Sequence, residues 1–328
     1  MGLSALLLLA SCTQDDLTNG TQGEPLPPGK YPLILTASGL EAVATPAQAS
    51  TRSTVDGEWS GETVRVQIQE KWNGYKEDWN SAGNQTCTVA SNGTMTKDKD
   101  DLDAYWQSSD ETKAIRAWHV SGVDQQPATM SSYLHTVQTD QSGEGYAKSD
   151  FLFAQRTANF AEGKDGVSLT FCHQVAKVRI NIVRGDETPA DFNVTGLRID
   201  NVYIKGKFTA PDMAHTGEDA YGEWSDEGQI PGNITAHAVD EENTGDNIIA
   251  TFEAIVIPQK VRKNNKLFTI TNGYSNFAYT PTDDKEWEAG WEYTYTVAIK
   301  GSKLDVSVSE SIGWGTDGNT GSGSVTLD

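Results

Sequence analysis

The stretch Trp291-Glu-Tyr293-Thr-Tyr295-Thr-Val297-Ala-Ile299 alternates large apolar residues with small or polar ones over nine positions. If the backbone is extended, the five large side chains fall on one side of it, because successive side chains of a β-strand point to opposite faces. After a predicted turn at Gly301-Ser302, apolar residues at 304, 306 and 308 continue the same period. The pattern predicts two strands that share one buried face.

The period of two recurs along the chain. It is clear in 63–69 and in 176–182, where every second residue is Ala, Val or Ile. Further predicted strands are Ala114–Val120, Phe151–Gln155, Leu197–Phe208, Ile248–Ile257 and Leu267–Thr271. The apolar phase shifts between Ile199 and Val202, which predicts a bulge at that point. For Ser131–Thr139 the sequence predicts two turns of helix instead of a strand.

Turns rich in Gly, Asn and Asp separate these short strands, which is typical of β-sandwiches. The predicted fold class is all-β, with two β-sandwich domains in tandem. The loop 161–166 is the predicted boundary, so that one sandwich covers 53–165 and a larger one covers 166–328. Residues 13–52 are predicted to form a tether that contains one strand, 31–38.

The N-terminus carries a short apolar run, Leu3 to Ala10, which is followed by Ser11 and Cys12. Eight residues are too few to span a bilayer, for which about 20 are needed. The run is typical of the core of a secretion signal. Leu9-Ala10-Ser11-Cys12 resembles the lipobox of bacterial lipoproteins, which makes Cys12 the predicted lipidation site and residues 1–12 a lipoprotein signal. The alternative is an ordinary signal peptide with an incidental cysteine.

The residues after Cys12 include Asp15 and Asp16, which resemble an acidic tag that directs lipoproteins to the outer cell surface. The alternative is a solvated tether, and the Gly-, Pro- and Thr-rich composition of 18–30 fits one. The formal net charge of −21 argues against nucleic acid as a partner, because no basic stripe is present to neutralise phosphates. It fits an extracellular body that stays dispersed by self-repulsion.

No arrangement of residues in the sequence indicates catalysis or a cofactor. The five histidines are scattered, and none stands at metal-ligand spacing from another ligand. Cys172 and His173 are neighbours, but on a strand they point to opposite faces and cannot form a nucleophile–base pair. The acidic residues of 98–103 lack the glycine and the later glutamate of a calcium loop. We therefore expect neither an enzyme nor a metal site.

Two further features leave alternatives open. Cys87 and Cys172 remain after Cys12 is set aside, and two buried thiols are favoured over a disulfide. The aromatic cluster from Trp287 to Tyr293 suggests stacking on a sugar, because flat rings can stack on sugars. Trp291 and Tyr293 share the apolar face of a predicted strand, so Trp287 is the candidate glycan platform.

Several stretches together resemble the fimbrillin family of bacterial pilus subunits. They occur in order over nearly the whole chain, and they are the lipobox at Cys12, Tyr31–Ser38, Ser50–Thr54, Thr63–Gln69, Ser149–Ala154, Leu169–Val178, Ala254–Gln259, Tyr293–Ile299 and Ile312–Trp314. The resemblance implies two sandwich domains of transthyretin-like, Greek-key type. It also implies a surface lipoprotein that a protease trims and that then polymerises by strand exchange.

The resemblance assigns roles to particular residues. Arg52-Ser53 is the predicted cleavage site, which makes 13–52 a removable pro-segment. The alternative is that Arg52 is an ordinary surface arginine in an uncut linker. Tyr31, Leu33 and Leu35 lie on the apolar face of the strand to be exchanged. Val325 and Leu327 share a face of the C-terminal tail, which makes the tail the predicted donor. The alternative is that the tail pairs within its own domain.

The expected function is therefore a structural or adhesive subunit of a fimbrium at the outer membrane. The expected partners are other copies or other fimbrial subunits, the outer membrane through the lipid, and host or bacterial surface glycans or proteins. The alternative is a surface glycan-binding lipoprotein.

Overall fold

The computed structural model describes residues 23–39, 54–69, 79, 83–186, 188–239, 247–273, 275–301, 303–312 and 314. Apart from one turn of α-helix, α1 (Phe160–Gly163), and three short 3-10 turns, the elements in these ranges are strands, which confirms the predicted all-β class. Within the same ranges no helix is long and apolar enough to cross a bilayer.

The first nine strands are β1 (Leu35–Ser38), β2 (Thr63–Gln69), β3 (Gly83–Val89), β4 (Met95–Lys97), β5 (Thr112–Val120), β6 (Ser132–Thr136), β7 (Phe151–Asn159), β8 (Val167–Thr170) and β9 (Cys172–His173). The remainder are β10 (Ala176–Arg184), β11 (Gly196–Thr209), β12 (Glu223–Thr235), β13 (His237–Ala238), β14 (Ile248–Val256), β15 (Gln259–Val261), β16 (Phe268–Thr271), β17 (Asn276–Tyr279), β18 (Lys285–Trp287), β19 (Trp291–Lys300) and β20 (Lys303–Ile312).

The alternating stretch at 291–299 lies in a five-stranded sheet of order β13-β14-β10-β19-β20. β10 and β19 run parallel at its centre, and Ile180 stands opposite Tyr295. Tyr293, Tyr295, Val297 and Ile299 are at most 2% exposed, so their shared face is the core face of the sheet. β20 returns antiparallel to β19. The predicted strands and their buried face are confirmed.

A second sheet, of order β12-β11-β16-β17, contributes to the same core. The pairing of β11 with β12 shifts between Ile199 and Val202, and Asn201 has a φ of 55°. The predicted bulge is therefore confirmed. The predicted helical turns in Ser131–Thr139 are wrong, because this segment contains β6, which pairs antiparallel with the second half of β11.

A third sheet, of order β4-β3-β2-β5-β7-β9, is formed by the N-terminal half of the chain. One of its faces belongs to a smaller core cluster that contains Val64, Val66 and Ile115. Its other face, which carries Trp118 and Phe153, belongs to the large cluster of the C-terminal sheets. The third sheet is therefore covered by apolar side chains on both faces.

Strand pairing does not follow the expected boundary at 165. β8 and β9 lie after it but pair with β1 and β7, whereas β6 lies before it but pairs with β11. The chain passes from the N-terminal sheet to the C-terminal sheets between His173 and Ala176. The tandem two-sandwich arrangement stays a prediction.

Cys87 and Cys172 are both buried and form no disulfide, as the sequence favoured. Burial raises the pKa of the Cys87 thiol to about 11, which keeps it protonated and unreactive at neutral pH.

Residues 23–39, which we call the N-terminal strap, form part of the layer opposite the third sheet. β1 pairs in parallel with β8 on one side, and on the other side Thr36 bridges to Thr94. Gly93 lies at this crossing with a φ of 79°, and a Cβ built on it would lie 2.3 Å from the carbonyl oxygen of Ala37. Only glycine fits there without moving the strap.

We predict that Gly93→Ala lowers the free energy of unfolding by about 1–3 kcal/mol more than Gly29→Ala does. Gly29 is the matched control, because its φ is 71° and nothing lies within 4 Å of its Cβ position. Both variants carry the cost of a left-handed backbone, but only Gly93→Ala adds a clash with the strap. Urea unfolding followed by tryptophan fluorescence measures the difference. Equal losses would contradict the close packing at Gly93.

A second prediction concerns His135 of β6, which is 1% exposed and is surrounded by the rings of Phe151 and Trp224. Burial lowers the pKa of His135 to about 4 from an ordinary value of 6.5, although the Ser149 carbonyl and Asp150 act in the opposite direction. Below pH 6.5 the unfolded chain takes up a proton that the folded chain rejects. The stability from this histidine is therefore present above pH 6.5 and is lost as the pH falls toward 4.

Between pH 7.5 and pH 5, the chain with His135 should lose about 2 kcal/mol more unfolding free energy than His135→Gln does. Comparing the pH dependence of the two proteins cancels the contributions of the other titrating groups. Parallel pH profiles would show that His135 is not held neutral in the fold.

Candidate functional site

The strap lies in a groove with backbone partners on both sides. Its first part runs along residues 104–109, where the amide of Leu26 donates to the Gln107 carbonyl and that of Leu33 to Ala104, each at 2.8 Å. The amide of Trp106 donates in return to the Tyr31 carbonyl at 2.9 Å. These bonds and two isolated bridges hold the strap against residues 104–109 before β1 begins, so the predicted strand 31–38 is a regular strand only over Leu35–Ser38.

The second part of the strap completes a two-stranded parallel sheet with β8. The amides of Val167 and Phe171 donate to the carbonyls of Ile34 and Ser38 at 2.8 and 2.9 Å. On the opposite edge, the amide of Ala37 donates to the Gly93 carbonyl at 2.8 Å. Without the strap, the backbone groups of β8 on this edge would lose their partners.

The side chains of the strap alternate as the sequence predicted. Leu35 and Ala37 are 5% and 9% exposed and belong to the smaller core cluster, and Tyr31 and Leu33 pack against it. Ile34, on the opposite face, is 49% exposed. Full burial of an apolar side chain the size of Leu35 contributes about 1.5–3 kcal/mol. The strap is therefore a structural part of the smaller core, held by apolar packing and strand pairing.

The predicted cleavage site, Arg52-Ser53, lies outside the described residues, but the next residue is firmly anchored. Thr54 is 2% exposed, and its hydroxyl donates to the Asp150 carboxylate at 2.6 Å. The Nδ1 atom of His173 lies 2.8 Å from the other carboxylate oxygen, and the His173 ring stacks on Trp314 at 3.7 Å. Val55 belongs to the large core cluster and not to the cluster of the strap.

Asp150 is ionised at this junction. Burial opposes its ionisation, but His173 and the hydrogen bonds from His173 and Thr54 hold the pKa of the carboxyl below its ordinary value. The network joins residues 54, 150, 173 and 314, and no motif or spacing in the sequence indicates that these four residues meet. It fixes the chain immediately after the predicted cut.

The structure contradicts the prediction that Trp287 is an exposed glycan platform. It is 1% exposed in β18, which pairs with β15, and its indole Nε1 donates to the Tyr295 hydroxyl at 3.4 Å. A ring buried in the core presents no face to a sugar, so Trp287 is not a glycan platform. Tyr293 is buried and Trp291 is half-buried on the core side, as expected.

The other sites predicted from the sequence are either separated by the fold or not described. Cys12, Val325 and Leu327 lie outside the described residues. The Cys172 thiol donates to the Gly217 carbonyl at 3.4 Å, whereas His173 pairs with Asp150, so the two neighbours serve different partners. In the part of the chain that the structure describes, no three His, Cys, Asp or Glu side chains are grouped to hold a metal ion.

Proteins of two Bacteroides species have solved structures of similar fold. A Bacteroides uniformis protein to which a role in cell adhesion has been attributed matches with a TM-score of 0.59 and 18% identity, over 88% of this chain and 100% of that one. A Bacteroides ovatus protein with the same attribution matches with a TM-score of 0.58 and 15% identity, over 86% and 97%. At these identities the likeness shows the fold alone.

A comparison with curated proteins gave no significant match. The family model described as fimbrillin-like matches residues 51–313, which is most of the chain and includes the β2–β20 framework. The chain therefore belongs to the fimbrillin-like family.

Proposed function

We propose that the protein is a structural or adhesive subunit of a cell-surface fimbrium that assembles by strand addition into the groove of the strap. Membership of the fimbrillin-like family supports a fimbrial, cell-surface role. The observation that carries the assembly route is the burial of Leu35 and Ala37 in the smaller core. In sequence, the strap is joined to the body through the segment that contains Arg52.

Export comes first in the proposed route. Cys12 receives lipid and anchors the chain in the outer membrane, where two or three acyl chains give firm attachment. The anchored protein is then exposed on the cell surface, within reach of a protease that is specific for arginine.

Cleavage after Arg52 would leave the strap held only by noncovalent contacts. Thr54 and Val55 would stay with the body, because Thr54 is bonded to Asp150 and Val55 is packed in the large core. The cut would thus separate a releasable segment from an anchored one. The geometry on the two sides of the predicted site supports this division of roles.

Departure of the strap would expose apolar side chains of the smaller core and an unpaired edge of β8. Such an edge is a template for another chain. A strand from a second copy would restore the backbone bonds, and its alternate side chains would fill the positions of Leu35 and Ala37. The donor in this proposal is the tail around Val325 and Leu327. A head-to-tail contact of this kind does not close, so it propagates as a filament.

The first prediction of this proposal concerns processing. Mass spectrometry of the membrane-extracted, untrimmed chain should find Cys12 as the lipid-bearing N-terminus. Brief treatment with an arginine-specific protease should then cut after Arg52 well before Arg65 or Arg179. Those two arginines lie in β2 and β10, where cutting requires local unfolding.

Arg52→Gln is the matched control and should abolish the early fragment while leaving the later ones. Cutting at Arg65 or Arg179 first would overturn the cleavage assignment. An unmodified Cys12 in the untrimmed protein would overturn the lipid anchor.

The second prediction concerns assembly. A chain that begins at Ser53 should form oligomers, whereas one that retains 13–52 should stay monomeric, because only the first has an open groove. Deleting Gly323–Asp328 from the shorter chain should return it to a monomer, since the donor is lost. Light scattering after size exclusion measures the masses, and circular dichroism reports that each chain is folded.

A peptide that covers 23–39, added in trans, should suppress the oligomers by refilling the groove. The same peptide with Leu35→Asp is the matched control and should not suppress them, because an unpaired carboxylate is costly to bury. If the chain from Ser53 is folded and monomeric at high concentration, assembly through this groove is wrong.

A further inference from the structure

A cleft lies beside the bulge of β11 and is lined by residues of the C-terminal half of the chain, far in sequence from the strap. It is lined by Asn201 and Tyr203 of β11, by β15 with the loop that follows it, and by Pro231 of β12. Lys260, Arg262 and Lys266 are among the residues that line the cleft.

The basic character of this cleft contrasts with the acidity of the whole chain. Lys260, Arg262, Lys263 and Lys266 fall within seven residues of a protein whose formal net charge is −21. Exposed charges more than about 8 Å away are largely screened at physiological salt, so the local cations determine the potential that a bound group experiences.

Part of this positive charge is compensated within the protein. Asp200 is 2% exposed, and its carboxylate lies 2.7 Å from Nε of Arg198 and 3.2 Å from Nζ of Lys266. Lys260 pairs with Asp284 at 2.9 Å and stands opposite Glu286 across the β15–β18 pair.

Arg262 and Lys263 are different. Among the described residues, no carboxylate oxygen lies within 4 Å of either side chain. Because two cations share the single charge of Asp200, a further positive charge remains beside Lys266. The backbone amide of Lys263 donates to the Asp284 carboxylate at 2.9 Å and is the main cause of the lowered pKa of that carboxyl, to which the charges of Lys260 and Lys263 also contribute. Arg262 and the partly compensated Lys266 are therefore the cations of the cleft that are left for a ligand.

The walls are held in place before any ligand arrives. The Asn201 side-chain amide donates to the Lys266 carbonyl at 2.8 Å. The Gln259 side chain accepts from the Tyr203 amide at 2.8 Å and donates to the Tyr203 carbonyl at 3.1 Å. The loop is fixed in turn by the Asn264 amide, which donates to the Pro281 carbonyl at 2.9 Å. Pre-organised walls lower the entropic cost of binding.

The cleft combines three kinds of recognition group. Arg262 and Lys266 offer charge-assisted donors to an anionic oxygen, and a guanidinium can bind a carboxylate or a sulfate with two parallel bonds. Asn201 and Asn265 place polar groups beside them, which suit hydroxyls. Tyr203 and Pro231 add flat, partly apolar surfaces on which a sugar ring can rest.

We propose that this basic cleft binds an acidic glycan, through its carboxylate or sulfate groups at Arg262 and Lys266 and through its sugar rings at Tyr203. A nucleic acid would need a longer basic stripe along its phosphates. The proposal rests on the surface exposure in the proposed function but is independent of strand exchange. If the protein is an adhesive subunit, this proposal makes acidic glycans the class of ligand that it binds.

The test measures binding of the purified full chain to immobilised glycans by surface plasmon resonance. Polygalacturonate presents carboxylates, heparin presents sulfates, dextran is the neutral control, and poly-glutamate presents carboxylates without sugars. The full chain should bind at least one of the two acidic glycans and should bind neither dextran nor poly-glutamate comparably. Binding should weaken as salt is raised, because the contacts are between exposed charges.

Arg262→Glu with Lys266→Glu should weaken binding at least about tenfold, since each lost charge-assisted bond is of the order of a tenfold change or more. Lys99→Glu with Lys303→Glu is the matched control, because it makes the same charge change at exposed positions elsewhere and should alter affinity less than about twofold. Arg262→Gln tests the cleft without touching the Asp200 pair and should also weaken binding.

Preference for heparin or for polygalacturonate identifies the anionic group, and either result supports the proposal. Three results would overturn it: no binding to either acidic glycan, an equal loss in the control pair, or equal binding of poly-glutamate. Because all arms use monomeric, untrimmed chain, a failure here leaves strand exchange standing, and a failure of strand exchange leaves this result standing.

Discussion

The smaller core has a continuous sheet on one side only, and this constraint determines much of the N-terminal structure. The other side is assembled from the strap, residues 104–109 and β8, which are far apart in sequence. Leu35 and Ala37 fill the layer, and the backbone on both edges of β1 is paired. A core covered in this way would lose apolar contacts and strand pairing together if the strap left, so the proposed replacement strand would have to supply both.

The third sheet has a second support that does not depend on the strap. Phe151, Leu152, Phe153 and Ala154 follow one another in β7 and are all fully buried, because the two faces of the strand pack into different cores. Phe151 packs edge-on against Phe208 of β11, with ring centroids 4.8 Å apart. The sheet is thus held by the C-terminal sheets on one face whatever covers the other. Removing the strap opens a groove in a supported sheet.

The sequence predicted those strands that carry alternating or continuous apolar residues, and it failed where long-range packing decides. The alternation in 291–299 and the phase shift after Ile199 correctly gave β19 and the bulge of β11. In β6 the pattern is inverted, since His135 is buried and Leu134 is 46% exposed, so local periodicity could not reveal a strand. Trp287 was misjudged because its burial comes from pairing with β15 and contact with Tyr295.

The same distinction holds for the candidate site. Alternation found the buried face of the strap at Tyr31, Leu33 and Leu35, but it could not show that the partner is the parallel strand β8, about 130 residues later. The Thr54–Asp150–His173 network also depends on distant residues. Spacing carries no information about such contacts until the fold brings them together.

Hydrogen exchange at the amides of Val167 and Phe171 tests the central claim most directly, because these amides donate to strap carbonyls. In the uncut monomer both should be protected. After cleavage at Arg52 they should exchange rapidly in the monomer and become protected again in the assembled form, where a second copy supplies the acceptors. Unchanged protection in the cut monomer would show that the strap stays in place, and would contradict the account.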